Sequence, residues 1–266
     1  MATDDSPITV PRFAALKGGG RKITMLTAYD YPTAQCADAA GVEGILVGDT
    51  LSMVVQGHEN TLPATVEEMI YHAEMVGRAV RHALVVVDMP FPSFHVGVHR
   101  AVQTAGRILK KARCQAVKLE GGVRQAEVIA GLVGAGIPVM AHCGLRPQSI
   151  HQLGGYRAER DEQALLADAR AVEQAGAFAV VLECIPATIA RQITAAVKIP
   201  TIGIGAGAGC DGQILVFHDL LGLTRGRLPR HVRPYADLGR AALDAIRRYR
   251  DDVRNGLFPG PDETIE

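Results

Sequence analysis

Short apolar runs alternate with longer amphipathic stretches along the chain. Eight of these runs are apolar on both faces, which is typical of parallel strands covered by helices. The predicted strands are 23–28, 44–48, 84–89, 116–120, 137–142, 178–183, 200–205 and 214–218. Helical spacing of apolar residues predicts a helix between most of them. The stretch 205–214 is too short for a full crossover helix, so a single helical turn is expected there.

Eight β–α units in about 250 residues predict a TIM (β/α)8 barrel, with a doubly wound open sheet as the alternative. No linker or shift in composition divides the chain. We therefore expect a single domain over 1–266. It has a short N-terminal extension, a long closing helix at 235–254 and a loose C-terminal tail at 255–266.

Composition narrows the function classes. Lys+Arg and Asp+Glu are both 28, so the net charge is 0, and this lack of a basic excess weighs against a nucleic-acid partner. A hydrophobic content of 48% excludes a mainly disordered chain. The N-terminus lacks the apolar region of a secretory signal, and the chain has no apolar run of membrane-spanning length. We expect a cytoplasmic protein with no membrane partner.

Charged and polar residues lie at the carboxyl ends of five predicted strands. They are Asp49, Thr50, Asp88, Lys118, Glu120, His142 and Glu183. In a barrel these strand ends line one mouth, where active sites lie. Taken singly, such a residue is a helix cap or a satisfied polar group as often as it is a functional residue. Several carboxylates around one mouth, however, repel one another unless a cation neutralises them.

The residue types favour a hard cation. Oxygen ligands without cysteine or paired histidine at zinc spacing suit Mg²⁺ better than Zn²⁺. Asp49 and Asp88 are the candidate direct ligands, and Glu120 is expected to bind directly or through a water. Glu183 lies two strands beyond Glu120 in an apolar setting, so it is a candidate general base. The alternative for Glu183 is a buried carboxylate paired with Lys or Arg.

Two glycine-rich stretches have two interpretations each. Residues 203–209 follow the seventh strand, where many barrels bind phosphate, but the glycines also suit close backbone packing. Residues 154–156, with 145–148, form either a lid or a packing loop.

Long motifs add a resemblance to a known family. They are MLTAYDYP at 25–32, LVGDTL at 46–51, VQGHENTLP at 55–63, VKLEGG at 117–122, HCGLRPQS at 142–149, LECIP at 182–186, IGIGAG at 202–207 and DGQILVFHD at 211–219. In these motifs, which span about residues 10–260 in order, the chain resembles the ketopantoate hydroxymethyltransferase family.

The resemblance implies a Mg²⁺-dependent TIM barrel with one ion per subunit. It also implies hydroxymethyl transfer from 5,10-methylenetetrahydrofolate to 3-methyl-2-oxobutanoate, giving 2-dehydropantoate for pantothenate and coenzyme A synthesis. The family's metal positions match Asp49, Asp88 and Glu120. Its substrate-binding positions match Asp49, Thr50, Asp88, Lys118 and His142, and its catalytic base matches Glu183. The resemblance further implies a homodecamer built from two pentameric rings.

Two features depart from the family pattern. Thr50 stands where the family often has Ser, and the loop 92–100 lacks the usual Tyr-containing pattern.

Two other function classes stay open. The first alternative is a Mg²⁺-dependent barrel of the phosphoenolpyruvate mutase/isocitrate lyase type, acting on 2-oxo acids by C–C or P–C chemistry. Activity without folate would favour it. The second is a non-catalytic binding barrel, which absence of solvent exchange at C3 would favour.

Overall fold

The structure, a computed structural model, describes residues 6–265. The first five residues and Glu266 lie outside that range, and with them the ends of the predicted N-terminal extension and C-terminal tail. The chain forms two compact units, one ending at Val216 and one beginning at Phe217. The prediction of a single domain over 1–266 stays a prediction.

The first unit contains a closed barrel of parallel strands. Within the described residues the strands are β1 (Ile23–Thr27), β2 (Gly44–Val47), β3 (Leu84–Asp88), β4 (Ala116–Glu120), β5 (Val139–Gly144), β6 (Ala179–Glu183), β7 (Thr201–Ile204) and β8 (Gly212–Leu215). Each strand pairs with its neighbours in chain order, and β8 pairs with β1. The predicted TIM barrel is therefore confirmed, and the open sheet is excluded.

Helices connect most of the strands. In the first unit they are α1 (Val10–Ala14), α2 (Tyr31–Ala39), α3 (Leu51–Val54), α4 (Val66–Ala79), α5 (Val98–Lys111), α6 (Ala126–Gly134), α7 (Ile150–Leu153), α8 (Glu162–Gln174) and α9 (Ala187–Ala196). A capping box opens α4, where Thr65 and Glu68 each accept a hydrogen bond from the other's backbone. Short 3₁₀ turns at Val123–Gln125 and Pro147–Ser149 follow β4 and β5.

Two apolar layers stabilise the barrel. The inner layer consists of inward-facing strand residues such as Leu84, Val86 and Met140. The outer layer lies between the strands and the helices. Successive side chains of each strand point alternately into these two layers. Both faces are therefore buried and apolar, which explains the near-continuous hydrophobic runs in the sequence.

Helix α1 was not predicted, and it contributes to the inner layer. Phe13 is fully buried among the inward-facing residues, and its ring meets Phe178 edge to face with 5.9 Å between centroids. The helix has five residues, begins after the cap Thr9 and contains Pro11 in its first turn. Such a short element lacks the periodic pattern that identifies longer helices.

Three predictions about the barrel strands and their connections were wrong. Strand β5 continues to Gly144, two residues beyond the predicted end at His142. Strand β8 covers Gly212–Leu215 instead of 214–218, because Gly212 pairs with both Ile23 and Ile202. The predicted helical turn between β7 and β8 is absent, since residues 205–211 form bends and a turn.

The second unit contains α10 (Phe217–Leu220), α11 (Leu238–Arg254) and a 3₁₀ turn at Pro261–Glu263. The predicted helix from 235 begins instead at Leu238, because the Asp237 side chain accepts a hydrogen bond from the backbone of Arg240. Among the residues described in both units, none of the helices combines the length and apolar character needed to cross a membrane.

Candidate active site

The carboxyl ends of the barrel strands carry the candidate site. Lys118 and Glu120 are two residues apart on β4, so both point to the same face as the apolar Ala116. The strand register aligns Asp88 with Lys118 and Glu120 with His142. The inner layer thus changes from apolar to charged or polar toward the carboxyl ends of these strands.

One cavity at this mouth is lined by all seven residues predicted from the strand ends. Asp49, Thr50, Asp88, Lys118, Glu120, His142 and Glu183 line it, together with apolar residues of β2, β6, β7 and β8. Gly48 allows this close approach, since a Cβ atom there would lie 2.9 Å from Oγ1 of Thr50. The structure brings the predicted residues together, while their individual roles stay predictions.

Three of the carboxylates are almost fully buried. Asp49, Asp88 and Glu120 are 4%, 4% and 5% exposed. The backbone N–H of Asp49 donates to Oδ2 of Asp88 at 3.1 Å. Burial, reinforced by the charge of Asp88, raises the pKa of Asp49 to about 7, and burial together with Asp49 raises the pKa of Glu120 well above its usual value. The three carboxylates are therefore all ionised near neutral pH only when a further positive charge joins the cluster.

Lys118 supplies the permanent positive charge among the residues that line the cavity. Its Nζ lies 2.7 Å from Oδ1 of Asp88, and both side chains are buried. Burial alone would lower the pKa of Lys118, but the charges of Asp88, Asp49 and Glu120 outweigh it and raise the pKa overall. Lys118 is therefore held as a cation inside the mouth.

A chain of polar contacts connects Lys118 with Glu183. Nζ of Lys118 lies 3.3 Å from Nδ1 of His142, and Nε2 of His142 lies 3.1 Å from Oε2 of Glu183. An ammonium group can only donate, so Nδ1 must accept, which assigns the proton of the neutral ring to Nε2. The ring proton then lies on the side of Glu183, whose side chain is 19% exposed.

Tyr29 is a neighbour of the site that was not predicted. Its hydroxyl lies 2.6 Å from Oγ1 of Thr50, and its carbonyl oxygen lies 2.6 Å from Nδ1 of His72. Burial raises the pKa of the Tyr29 phenol, so it stays protonated. The signals in the sequence were its position just beyond the end of β1 and its place in the motif MLTAYDYP at 25–32.

Gln148 is a second residue that sequence reasoning missed as a site member. It lies in the 3₁₀ turn after β5 and is buried. Its side chain donates to Oδ2 of Asp49 at 2.8 Å, and its backbone N–H donates to Oε2 of Glu120 at 3.1 Å. A neutral amide six residues past His142 gave no electrostatic signal in the sequence.

The donor set fits a hard divalent cation. Three buried carboxylates face one ammonium group, and oxygen is the ligand that Mg²⁺ prefers. Among residues 6–265, no three acidic, histidine or cysteine side chains are already arranged to enclose an ion. Mg²⁺ usually takes one or two protein carboxylates and keeps its other positions for water or substrate, so it does not require such a group.

The glycines of 203–209 have a packing explanation. A Cβ atom at Gly207 would lie 2.6 Å from Cβ of Ala187, and one at Gly209 would lie 2.1 Å from Cγ of Arg191. Both neighbours belong to α9, so these glycines let the loop pack against that helix. The proposed lid residue Tyr156 is half-exposed, and its hydroxyl donates to Sδ of Met53 at 3.7 Å.

Comparison with known proteins identifies the family. The model of the family described as ketopantoate hydroxymethyltransferase matches residues 7–261. The chain is 56% identical to the 3-methyl-2-oxobutanoate hydroxymethyltransferase of Rhodopirellula baltica over 98% of this chain and 97% of that one. It is also 56% identical to the protein of the same name from Desulforapulum autotrophicum, over 95% and 96% of the two chains.

Solved structures show a more distant likeness in fold. A phosphonopyruvate hydrolase in complex with oxalate and Mg²⁺ superposes with a TM-score of 0.63 at 14% identity, covering 97% of this chain and 92% of that one. The match to the named relatives, 56% identical over nearly the whole chain, identifies the family far more specifically than this likeness in fold. The chain belongs to the ketopantoate hydroxymethyltransferase family.

Proposed function

We propose that the chain transfers a hydroxymethyl group from 5,10-methylenetetrahydrofolate to 3-methyl-2-oxobutanoate, giving 2-dehydropantoate and tetrahydrofolate for pantothenate synthesis. The names of the relatives at 56% identity support the activity. One observation in the structure carries the proposal. Glu183 is a partly exposed carboxylate in the cavity, next to buried carboxylates that need a cation.

Asp49 and Asp88 would hold Mg²⁺, with Glu120 binding directly or through a water. When bound, the ion supplies a Lewis acid for the 2-oxo carbonyl and a counter-charge for the enolate. The phosphonopyruvate hydrolase of similar fold was solved with oxalate and Mg²⁺, which supports pairing a small chelating acid with this kind of site.

Glu183 would act as the general base. Its carboxylate removes the proton from C3 of the substrate, and the C–H electron pair becomes the enolate. His142, with its proton on Nε2, would stabilise the negative charge of Glu183 across the 3.1 Å between Nε2 and Oε2. The bond between the methylene carbon and N10 of the folate breaks as N10 takes up a proton, and C3 bonds to the resulting N5 iminium carbon. Water then supplies the hydroxyl oxygen at that carbon as its bond to N5 breaks, N5 takes up a proton, and tetrahydrofolate leaves.

Lys118 and Thr50 would bind the 2-oxo acid. Lys118 provides positive charge for the substrate carboxylate, although it already pairs with Asp88 at 2.7 Å. The Thr50 hydroxyl is positioned by Tyr29 at 2.6 Å and keeps the donor that Ser provides in many family members. Both side chains line the same cavity as Glu183.

The account of partners is also a proposal. We expect small-molecule substrates and a homodecamer of about 283 kDa, ten chains of 28.3 kDa. One feature of the second unit supports assembly: Ile246, Tyr249 and Val253 lie on one face of α11 and are 64%, 57% and 45% exposed. Sedimentation velocity tests this size, and a monomer at micromolar concentration would overturn it.

Product formation tests the activity. The purified chain is incubated with both substrates and MgCl₂, and 2-dehydropantoate is quantified. We expect product that depends on folate and disappears with EDTA. Cleavage of a 2-oxo or phosphono acid without folate would instead support the lyase/mutase alternative. Binding of the 2-oxo acid without any turnover would support a binding barrel.

A further inference from the structure

Gln148 contacts the ends of three strands at once. Its Nε2 donates to Oδ2 of Asp49 at 2.8 Å, beyond β2, and to the carbonyl oxygen of Met89 at 3.0 Å, beyond β3. Its backbone N–H donates to Oε2 of Glu120 at 3.1 Å, at the end of β4. One residue thereby connects two carboxylates that approach the mouth from different strands.

The orientation of the Gln148 amide is determined by these contacts. The carbonyl oxygen of Met89 can only accept, so the flipped amide would place oxygen against oxygen there and would also remove the N–H donor from Oδ2 of Asp49. The observed orientation leaves Oε1 buried with no hydrogen-bond partner among the described residues. An unpartnered buried acceptor costs free energy, which indicates that the contacts of Nε2 outweigh that cost.

Groups that hydrogen-bond to metal-binding carboxylates fix the direction of the carboxylate oxygens and strengthen metal binding. Taking from the proposed function that Asp49 and Glu120 are metal ligands, we propose that Gln148 is the positioning residue that holds both carboxylates in the orientation that binds the divalent cation. The side chain orients Asp49, and the backbone orients Glu120. Gln148 is not among the residues that line the cavity.

Calorimetric titration with MgCl₂ alone tests this role without requiring turnover. Gln148→Met keeps the length of the side chain but removes its N–H donors. Its matched control is Gln152→Met, because Gln152 lies exposed in the next short helix. We expect Gln148→Met to raise the Kd for Mg²⁺ about 10- to 100-fold, and Gln152→Met to leave it unchanged.

A stability measurement and a kinetic measurement separate positioning from a merely structural role. In a positioning role, the Mg²⁺ concentration for half-maximal rate rises, while KM for the 2-oxo acid at saturating Mg²⁺ stays within about twofold. Melting curves in EDTA verify that the variant is folded. If Gln148→Met does not fold, Gln148→Asn, which retains the amide but is one methylene shorter, is titrated with the same expected loss.

The outcomes distinguish this inference from the proposed function. A folded Gln148 variant with the wild-type Kd for Mg²⁺, in a chain that forms product, overturns the positioning role alone. Weaker Mg²⁺ binding by the variant, in a chain that forms no 2-dehydropantoate, supports the positioning role and overturns the proposed reaction. A wild-type chain that binds no Mg²⁺ overturns both.

Discussion

Nζ of Lys118 lies 2.7 Å from Oδ1 of Asp88, and both side chains are almost fully buried at the mouth of the barrel. The pair connects β3 with β4 at aligned positions of their register. Lys118 also lies 3.3 Å from His142, which in turn lies 3.1 Å from Glu183. The predicted cation-binding side of the cavity is therefore physically connected to the predicted base.

Removing this ammonium group should destabilise the cation-free protein. Lys118→Met leaves Asp49, Asp88 and Glu120 buried without their positive partner, and breaking a buried pair typically costs about 3–5 kcal/mol. Arg107→Met is the control, since Arg107 forms an exposed pair with Glu67 and its loss should cost less than about 1 kcal/mol. Urea unfolding in EDTA measures the free energy of unfolding of both variants. Equal losses in the two variants would contradict the account.

Replacing the base should separate chemistry from cation binding. Glu183→Gln keeps the size of the side chain but cannot accept the C3 proton, so the rate of product formation should fall at least about 100-fold. The Kd for Mg²⁺ should stay within a few-fold of wild type. The exposed Glu127→Gln on α6 serves as the control. Undiminished turnover in Glu183→Gln would remove this residue from the base role.

The raised carboxyl pKa values predict how stability depends on pH without divalent ions. Asp49 and Glu120 hold protons in the folded state that the unfolded chain releases. Their contribution to the free energy of unfolding is therefore fully present below about pH 4, where the unfolded chain is protonated as well. It is lost as the pH rises through about 7, the folded pKa of Asp49. Melting temperatures in EDTA between pH 5 and 8 should therefore fall less steeply in Asp49→Asn. If the melting temperature fell equally steeply with pH in the variant and in the wild type, the raised pKa of Asp49 would be refuted.

The hydroxyl of Thr50 should matter more than its methyl group. Thr50→Ser keeps the group that meets Tyr29 at 2.6 Å, whereas Thr50→Val removes it at nearly constant volume. A hydrogen bond to a charged ligand is worth about 1.5–3 kcal/mol, so Thr50→Val should raise KM for the 2-oxo acid about tenfold or more. Thr50→Ser should stay within about threefold. Similar KM values for the two variants would argue against contact with the substrate.

A matched pair of glycine substitutions tests the packing explanation of the glycine-rich loop. Gly207 and Gly57 have φ angles of +78° and +79°, so alanine is strained equally at both. Only Gly207 has a close neighbour, Cβ of Ala187 at 2.6 Å, whereas Gly57 faces open space. Gly207→Ala should therefore lose more unfolding free energy than Gly57→Ala. Equal losses would mean that backbone conformation alone requires the glycine.

The fold was largely predictable because burial on both faces leaves a strong apolar signal. Strand β4 was predicted at its observed limits, and the ends of most others lie within one or two residues. Strand β8 was misplaced because its first residue, Gly212, has no apolar side chain. A Cβ atom there would lie 2.5 Å from the carbonyl oxygen of Ile23, so the position requires glycine inside a strand. Tertiary packing, which the local pattern does not record, sets that boundary.

The charged residues of the site were predictable, whereas its neutral members Tyr29 and Gln148 were not. Asp49, Asp88, Lys118 and Glu120 stand out because charges at the ends of apolar strands are unusual. Gln148 joins the site only because the turn after β5 folds back toward β2 and β3. The path of such a loop depends on contacts between distant residues, so a single sequence does not reveal it.

Solvent exchange at C3 of 3-methyl-2-oxobutanoate tests the central claim most directly. The substrate is followed by NMR in D₂O with MgCl₂ and without folate, alongside an EDTA sample and Glu183→Gln. We predict that the C3 proton signal disappears with wild-type protein and Mg²⁺, and persists in both other samples. A persistent C3 signal with wild-type protein and saturating Mg²⁺ would contradict the account of Glu183 as the base of an enolising barrel.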